Sequence, residues 1–286
     1  MKGLLEWFEP RRSLYPWRRA ADPYWVLVSE VMLQQTQASR VAPAFERFMA
    51  AFPTLADLAA ATPGAVIRSW SGLGYNRRAV ALWKTAVILE REHHGRVPPD
   101  PAALGRFPGI GPYTAAAVAS IAFGRPVPAI DTNVRRVVAR HALGREPEEV
   151  STSAVERAAA RLVSRGDPGA WNQAAMDVGR TVCRPAPRCG ECPIRAGCSY
   201  RRLGHPPRTR PVRPTLAFQG STREARGRVV RALTSATSVS LGSLASATGM
   251  SMERVAGAVA ALVEEGMVRA GPAALLGRRT GRVRLP

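Results

Sequence analysis

Residues Leu104 to Arg136 read LGRFPGIGPYTAAAVASIAFGRPVPAIDTNVRR, and this stretch decides the fold. It opens on a tight turn, Phe107-Pro108-Gly109-Ile110-Gly111-Pro112. A small-residue helix and then an acidic residue, Asp131, in an apolar run follow. Two helices joined by a Pro/Gly hairpin leave backbone N–H groups unpaired at the start of the second helix. Those donors, with the helix dipole behind them, suit a phosphate group. Gly109 and Gly111, on either side of Ile110, let the backbone come close to it. An ordinary Gly-rich helix–helix turn would read much the same in isolation. The acid downstream and features elsewhere in the chain favour a grip on a nucleic-acid backbone with a carboxylate beside it.

The charge agrees. The chain has 286 residues, enough for two domains and a small third, with Lys+Arg 41 against Asp+Glu 21, a net charge of +20. Such an excess favours a polyanion, nucleic acid or an acidic membrane surface. The basic residues are nearly all Arg, Lys2 and Lys84 excepted, which in an Ala-, Gly- and Pro-rich chain partly reflects a GC-rich genome. No run approaches the ~20 apolar residues of a membrane span. The first residues, MKGLLEWFEPRRSLYPWRR, lack the continuous apolar core and small-residue cleavage site of a signal peptide. A soluble, cytoplasmic, nucleoid-associated bacterial protein is expected, with no membrane partner and a monomeric state.

All four cysteines fall together, Cys183, Cys189, Cys192 and Cys198, spaced C-x5-C-x2-C-x5-C. A compact cluster in a chain without an export signal points to a metal rather than to disulfides. Zinc usually takes two close Cys pairs, and here only Cys189 and Cys192 make one. A single wrapping loop with uneven spacing fits a 4Fe–4S cube better, with zinc as the alternative.

Along the chain, residues 1–200 read as almost wholly helical. Helices are expected over Tyr24–Ala38, Val41–Phe52, Leu55–Ala61, Pro63–Trp70, Arg77–His93, Pro101–Arg106, Thr114–Phe123, Asn133–Leu143, Ser153–Ser164 and Trp171–Val182. Residues 205–224, rich in Pro and Arg, read as a linker. Beyond it, apolar spacing marks three short helices, and Val283-Arg284-Leu285 is suited to a strand. This order suggests a small winged-helix domain over 225–286. From residue 200 on there are 15 Arg against 4 Glu and no Asp or Lys. That favours holding DNA. Yet the expected recognition helix, Met252–Glu265, carries Arg254 against Glu253, Glu264 and Glu265. Packing against the rest of the protein is the other reading.

Glu30 lies in VLVSEVMLQQTQ, among Val26, Leu27, Met32 and Leu33. A carboxyl group in such a helix has its pKa raised, as a general acid at neutral pH requires. An ion pair between packed helices is the plainer role for a lone buried Glu. Gln34, Gln35, Thr36 and Gln37 follow at once, an uncharged cluster suited to base edges. Residues 70–78, WSGLGYNRR, form a Gly-supported tip carrying Tyr75, Arg77 and Arg78.

SEVMLQQTQ, GLGYxRR, FPGIGPYTAAAV, DTNVRRV and the four-cysteine loop, in that order, resemble the helix-hairpin-helix DNA glycosylases. The likeness is strongest to the adenine-specific, MutY-type members and spans residues 1 to about 200. It implies a mostly α, two-domain fold, a six-helix barrel plus an iron–sulfur helical domain, followed here by the winged-helix-like segment. Residues 1–22 and 125–204 would form the iron–sulfur domain, and 23–124 the barrel with the hairpin. The implied activity is monofunctional removal of adenine mispaired with 8-oxoguanine or guanine in double-stranded DNA. Endonuclease III-type members carry a strand-cleaving lysine where this chain has Tyr113. The resemblance makes Glu30 the general acid and Asp131 the group that stabilises the oxocarbenium sugar, with Tyr113 and Asn133 orienting them or the water. Tyr75 would wedge into the base stack, Gln34 would fill the gap, and Gly109, Ile110 and Gly111 would hold a phosphate. A sister enzyme for mismatched thymine or a modified purine, or a non-catalytic DNA clamp, are the alternatives. Three departures from the family pattern stand out. The first cysteine spacing is one residue short. Asn76 stands where many members have a second tyrosine. The larger Nudix-like C-terminal domain of many relatives, with its Phe-Ser-His-type loop, has no counterpart.

Overall fold

The computed structural model describes residues 1, 3–20, 22–204 and 218–286. Its helices are α1 (Leu4–Phe8), α2 (Pro23–Leu33), α3 (Ala38–Ala51), α4 (Leu55–Ala60), α5 (Pro63–Ser69) and α6 (Arg77–His93). There follow α7 (Pro101–Leu104), α8 (Pro112–Phe123), α9 (Thr132–Leu143), α10 (Thr152–Leu162), α11 (Pro168–Thr181) and α12 (Ser199–Arg202). The C-terminal segment adds α13 (Thr222–Thr234), α14 (Leu241–Thr248), α15 (Met252–Glu264) and α16 (Pro272–Leu275). Local chemistry sets many of the ends. Thr54, Thr62, Asp100, Asp131, Ser151, Asp167, Ser221, Ser240 and Ser251 each accept a first-turn N–H as N-caps. Gly124, Gly144 and Gly249 close α8, α9 and α14 in the left-handed conformation.

Two compact units emerge, one of Met1–Val31 with Val97–Arg213, the other of Met32–Arg96 with Pro214–Pro286. These lines differ from the boundaries expected near 22 and 124. In the first unit α11 packs on α1, α8 and α9, and α10 and α12 also pack on α9. Leu4, Phe8, Val134, Val138, Trp171, Ala174 and Val178 fill its core. The expected linker lies largely outside the described residues, at 205–217. Its last residues belong to the capped start of α13.

In the second unit α4 and α5 pack on α6, and α13, α14 and α15 pack on one another. The strands β1 (Val239–Ser240), β2 (Arg269–Ala270) and β3 (Arg282–Arg284) form an antiparallel sheet in the order β1-β3-β2. Val283 pairs with both Val239 and Ala270. Three helices and a small sheet bear out the winged-helix expectation. The sheet is larger than the single strand expected, because two-residue strands are too short to show alternation. Ile67 of α5 and Val80 of α6 share one core with Val229, Leu233, Leu241, Val255, Val259, Leu262 and Val283. Arg68 donates to the carbonyls of Leu233 (3.2 Å) and Thr234 (3.3 Å). No helix among the described residues is long and apolar enough to cross a membrane.

The chain end is held in the same way, since the Gly64 N–H donates to the Pro286 carbonyl at 2.9 Å. A methyl group at position 64 would meet that oxygen at 2.4 Å. Gly64→Ala should therefore lift the last residues off α5 and lower the unfolding free energy by about 1–3 kcal/mol. Urea denaturation measures this, and an unchanged midpoint would show that the end is not held there.

Candidate active site and cysteine loop

Glu30 sits on α2, whose first turn is tied down by Asp22, its Oδ1 accepting from the N–H groups of Tyr24 (2.8 Å) and Trp25 (3.0 Å). The surrounding Val26, Leu27, Val28 and Val31 are buried, and Glu30 itself is 4% exposed. Burial in this apolar setting pushes its carboxyl pKa up to about 7, with the nearby charge of Asp131 adding to the rise. A hydrogen bond from Tyr113 and the positive charge of Arg18 pull the other way. Oε2 of Glu30 is buried and has no hydrogen-bond partner among the described residues. The result is a carboxyl group poised to change protonation near neutrality.

Asp131 N-caps α9. Its Oδ1 accepts from the Val134 N–H and its Oδ2 from Asn133 Nδ2, both at 2.7 Å. Asn133 Oδ1 accepts in turn from Arg136 Nη2 at 2.9 Å. Arg136 also donates to the carbonyls of Cys183 (2.6 Å) and Gly179 (2.7 Å). Gly179 lets α11 pass against Asn133, since a Cβ there would meet the Asn133 Cβ at 2.7 Å. Burial, with Glu30 and Asp131 nearby, raises the Tyr113 pKa well above the ordinary phenol range, so its hydroxyl keeps its proton. That hydroxyl also lies 3.3 Å from Met176 Sδ. Glu30, Tyr113, Asp131 and Asn133 thus come together. Arg18, paired with buried Asp177 at 2.8 Å, joins them. It was missed from the sequence because a single Arg among several near the N-terminus carries no signal.

The hairpin α7–turn–α8 has the form expected. Gly109 adopts φ 76°, which a side chain would disfavour. Gly111 is extended ahead of Pro112, and α8 has no side-chain cap. The Ile110 side chain is buried and anchors the turn.

In the second unit, α2 stops at Leu33 instead of running to Ala38, and Gln35 takes φ 55°. Arg78 explains the break. It donates to the carbonyls of Met32 (2.9 Å), Gln34 and Gly74 (3.2 Å) and to Thr36 Oγ1 (3.0 Å). Expected as a DNA contact, Arg78 is instead buried, a brace between the Gln34–Gln37 loop and the tip. Gln35 and Arg77 are exposed, and Gln34, Thr36 and Tyr75 half-buried. Tyr75 has φ 47° and lies between Gly74 at 72° and the start of α6.

The four cysteines line a single pocket with Arg140, Val182, Arg195 and Tyr200, and none is in a disulfide. Arg140 is buried, paired with Glu146 at 3.0 Å, and its Nη1 lies 3.8 Å from Cys183 Sγ. The Tyr200 hydroxyl donates to the same Glu146 at 2.7 Å. Burial pushes the Cys183 thiol pKa up, and the cations Arg140 and Arg136 beside it oppose that rise. Among the described residues no three His, Cys, Asp or Glu converge as ligands of a single metal ion.

Residues 28–165 match the family described as HhH-GPD superfamily base excision DNA repair protein. The chain is 41% identical to the adenine DNA glycosylase of Mycolicibacterium smegmatis over 236 residues, covering 82% of this chain and 80% of that protein. It is 41% identical to the adenine DNA glycosylase of Homo sapiens over 212 residues, 70% of this chain and 39% of the human protein. A thermostable thymine-DNA glycosylase superposes with a TM-score of 0.64 at 30% identity, over 70% of this chain and 94% of that one. A non-covalent endonuclease III–DNA complex shares the fold, with a TM-score of 0.58 at 24% identity over 71% of this chain and 95% of that one. With its hairpin, its buried acid and these relatives, the chain belongs to the HhH-GPD superfamily of base excision DNA repair proteins, within the adenine DNA glycosylases.

Proposed function

We propose that this protein binds double-stranded DNA, flips out an adenine mispaired with 8-oxoguanine or guanine, and hydrolyses its N-glycosidic bond. The observation that carries the reading is Glu30, a buried carboxyl group with its pKa raised to about 7 beside Tyr113 and Asp131. A carboxyl group that still holds a proton near neutral pH suits a general acid. Glu30 gives its proton to adenine N7, so the base leaves as a neutral species. The C1′–N9 bond breaks with its electron pair going to the base, and the sugar becomes an oxocarbenium-like cation. Asp131 faces that charge as the second carboxylate of a glycosidase does, stabilising it or bonding to C1′ until water replaces it. Tyr113 holds Glu30, and Asn133 fixes the Asp131 rotamer. Position 113 offers no amine to form a Schiff base, which supports a monofunctional reaction. Flipping costs a few kcal/mol, offset by phosphate contacts at Gly109–Gly111, with Tyr75 wedging into the stack near the opposite base, Gln34 filling the gap, and Gln35, Thr36 and Arg77 lining the strand. The setting is the cytoplasm, on nucleoid DNA, with the protein a monomer.

Cys183, Cys189, Cys192 and Cys198 would hold a 4Fe–4S cluster, and the four bonds from cysteine sulfur would cross-link the Arg-rich loop. The four cysteines line one pocket beside Arg140, and their uneven C-x5-C-x2-C-x5-C spacing supports a cluster over a single zinc. Purified protein should be brown and carry iron rather than zinc. Colourless, zinc-loaded protein would reverse that choice.

The first test is incubation with duplexes carrying A opposite 8-oxoguanine, A opposite G, T opposite G, and normal pairs, followed by alkaline cleavage of abasic sites. Adenine release from the first two is expected, and release of thymine alone would move the protein to a sister specificity. Folded Glu30→Gln and Asp131→Asn should each lose about 10²-fold or more in single-turnover rate. The wild-type rate should fall as pH rises through about 7, where Glu30 gives up its proton. The stability sign is the same. The folded state holds this proton more tightly than the unfolded chain, so stability declines as pH rises from the ordinary carboxyl range to about 7, and Glu30→Gln removes the decline. A rate flat across this range would rule Glu30 out as the acid.

A further inference from the structure

The C-terminal segment places two side chains beside the Tyr75 tip, within the same compact unit. Arg223, in the first turn of α13, donates from Nη1 to the Tyr75 hydroxyl at 2.8 Å. Its guanidinium lies over the Tyr75 ring, 5.7 Å from the centroid, and over the Phe218 ring at 5.6 Å. Arg78 lies over the Tyr75 ring at 5.4 Å. Ring and guanidinium therefore alternate, Phe218, Arg223, Tyr75, Arg78. The outer part of this series is open, Arg223 being exposed and Phe218 57% exposed.

The turn carrying Phe218 is fixed in place. The Phe218 carbonyl accepts from Ser221 Oγ at 2.6 Å and from the Ser221 N–H at 3.2 Å. The Gly220 N–H donates to Glu224 Oε2 at 2.6 Å, and Arg254 of α15 donates to the Gly220 carbonyl at 3.1 Å. Here a held, exposed ring adjoins a cation and a second aromatic. Such surfaces stack nucleobases, because every base has a π-face and a guanidinium plane strengthens the stack.

We infer that Arg223 and Phe218 extend Tyr75 into a stacking platform for the nucleobase facing the excised adenine, so that the C-terminal segment takes part in reading that base. The inference rests on the wedge role proposed for Tyr75, and the test separates the two. Dissociation constants are measured for the full chain on duplexes bearing a tetrahydrofuran abasic analogue opposite 8-oxoguanine, guanine, or a second tetrahydrofuran with no base. Arg223→Gln should weaken binding about tenfold where a base is present and much less where none is. Phe218→Leu should act in the same direction. Arg223→Gln combined with Tyr75→Phe should lose less than the product of the single losses, since the two groups touch. Equal loss by Arg223→Gln on all three duplexes would make Arg223 a phosphate contact and overturn the platform, as would no loss on any. Tyr75→Ala that binds all three like wild type would remove the wedge itself. Tyr75→Ala weakened while Arg223→Gln and Phe218→Leu bind normally would overturn the platform alone.

Discussion

Keeping the carboxyl group of Glu30 inside an apolar helix is the constraint on which the first unit turns. Water would hold its pKa in the ordinary carboxyl range, useless for giving up a proton at neutral pH. Burial of Glu30 on a helix of buried residues excludes that water, and the raised pKa follows. The ionised form then costs roughly 3 kcal/mol more than it would in water. Arg18 and Tyr113 limit that cost without cancelling it, one through charge and the other through a hydrogen bond. Arg18 can do this only because Asp177 holds it, and Tyr113 only because it stays protonated.

The second carboxyl group is placed by different means. Asp131 is fixed through backbone capping and through Asn133, and Asn133 through Arg136 to the carbonyls of Gly179 and Cys183. The cysteine loop and Asp131 therefore share one arginine. Arg140 does similar work lower in the loop, against Glu146 and Tyr200. Arg18, Arg78, Arg136 and Arg140 are all bound to carboxylates or carbonyls within the protein. The net charge of +20 thus overstates what is free to meet phosphate. Composition gives the sign of the field and says nothing of which arginines face outward.

The hairpin and the cap at Asp131 were legible because their signals are local. Gly at a left-handed position, Pro at a first helical position and Asp ahead of a helix each act within a few residues. Glu30 was legible as a buried acid for the same reason, its apolar neighbours being adjacent in the chain. The early end of α2 was not. Its cause is Arg78, more than forty residues away, drawing on carbonyls that a continued helix would have used. The same distance hid the role of Arg78, which reads in sequence like any exposed arginine on a loop. Arg18 and Arg223 were missed as site residues because their partners, Asp177 and Tyr75, are more remote still.

The C-terminal segment shows why a boundary drawn from composition differs from one drawn from packing. A Pro- and Arg-rich stretch suggests that the residues beyond it fold alone. Yet Ile67 and Val80 lie in the same core as α13, α14 and α15. Arg68 caps the end of α13, and Pro286 bonds to Gly64. A segment this short buries too little surface to be amply stable by itself. Borrowing two helices of the second unit completes its core, and the same contact brings Arg223 to Tyr75. Stability and placement therefore come from one interface. A winged helix packed in this way gives up some of the freedom to act as an independent sequence reader, which agrees with the acidic character of α15, and gains a fixed position beside the tip that carries Tyr75.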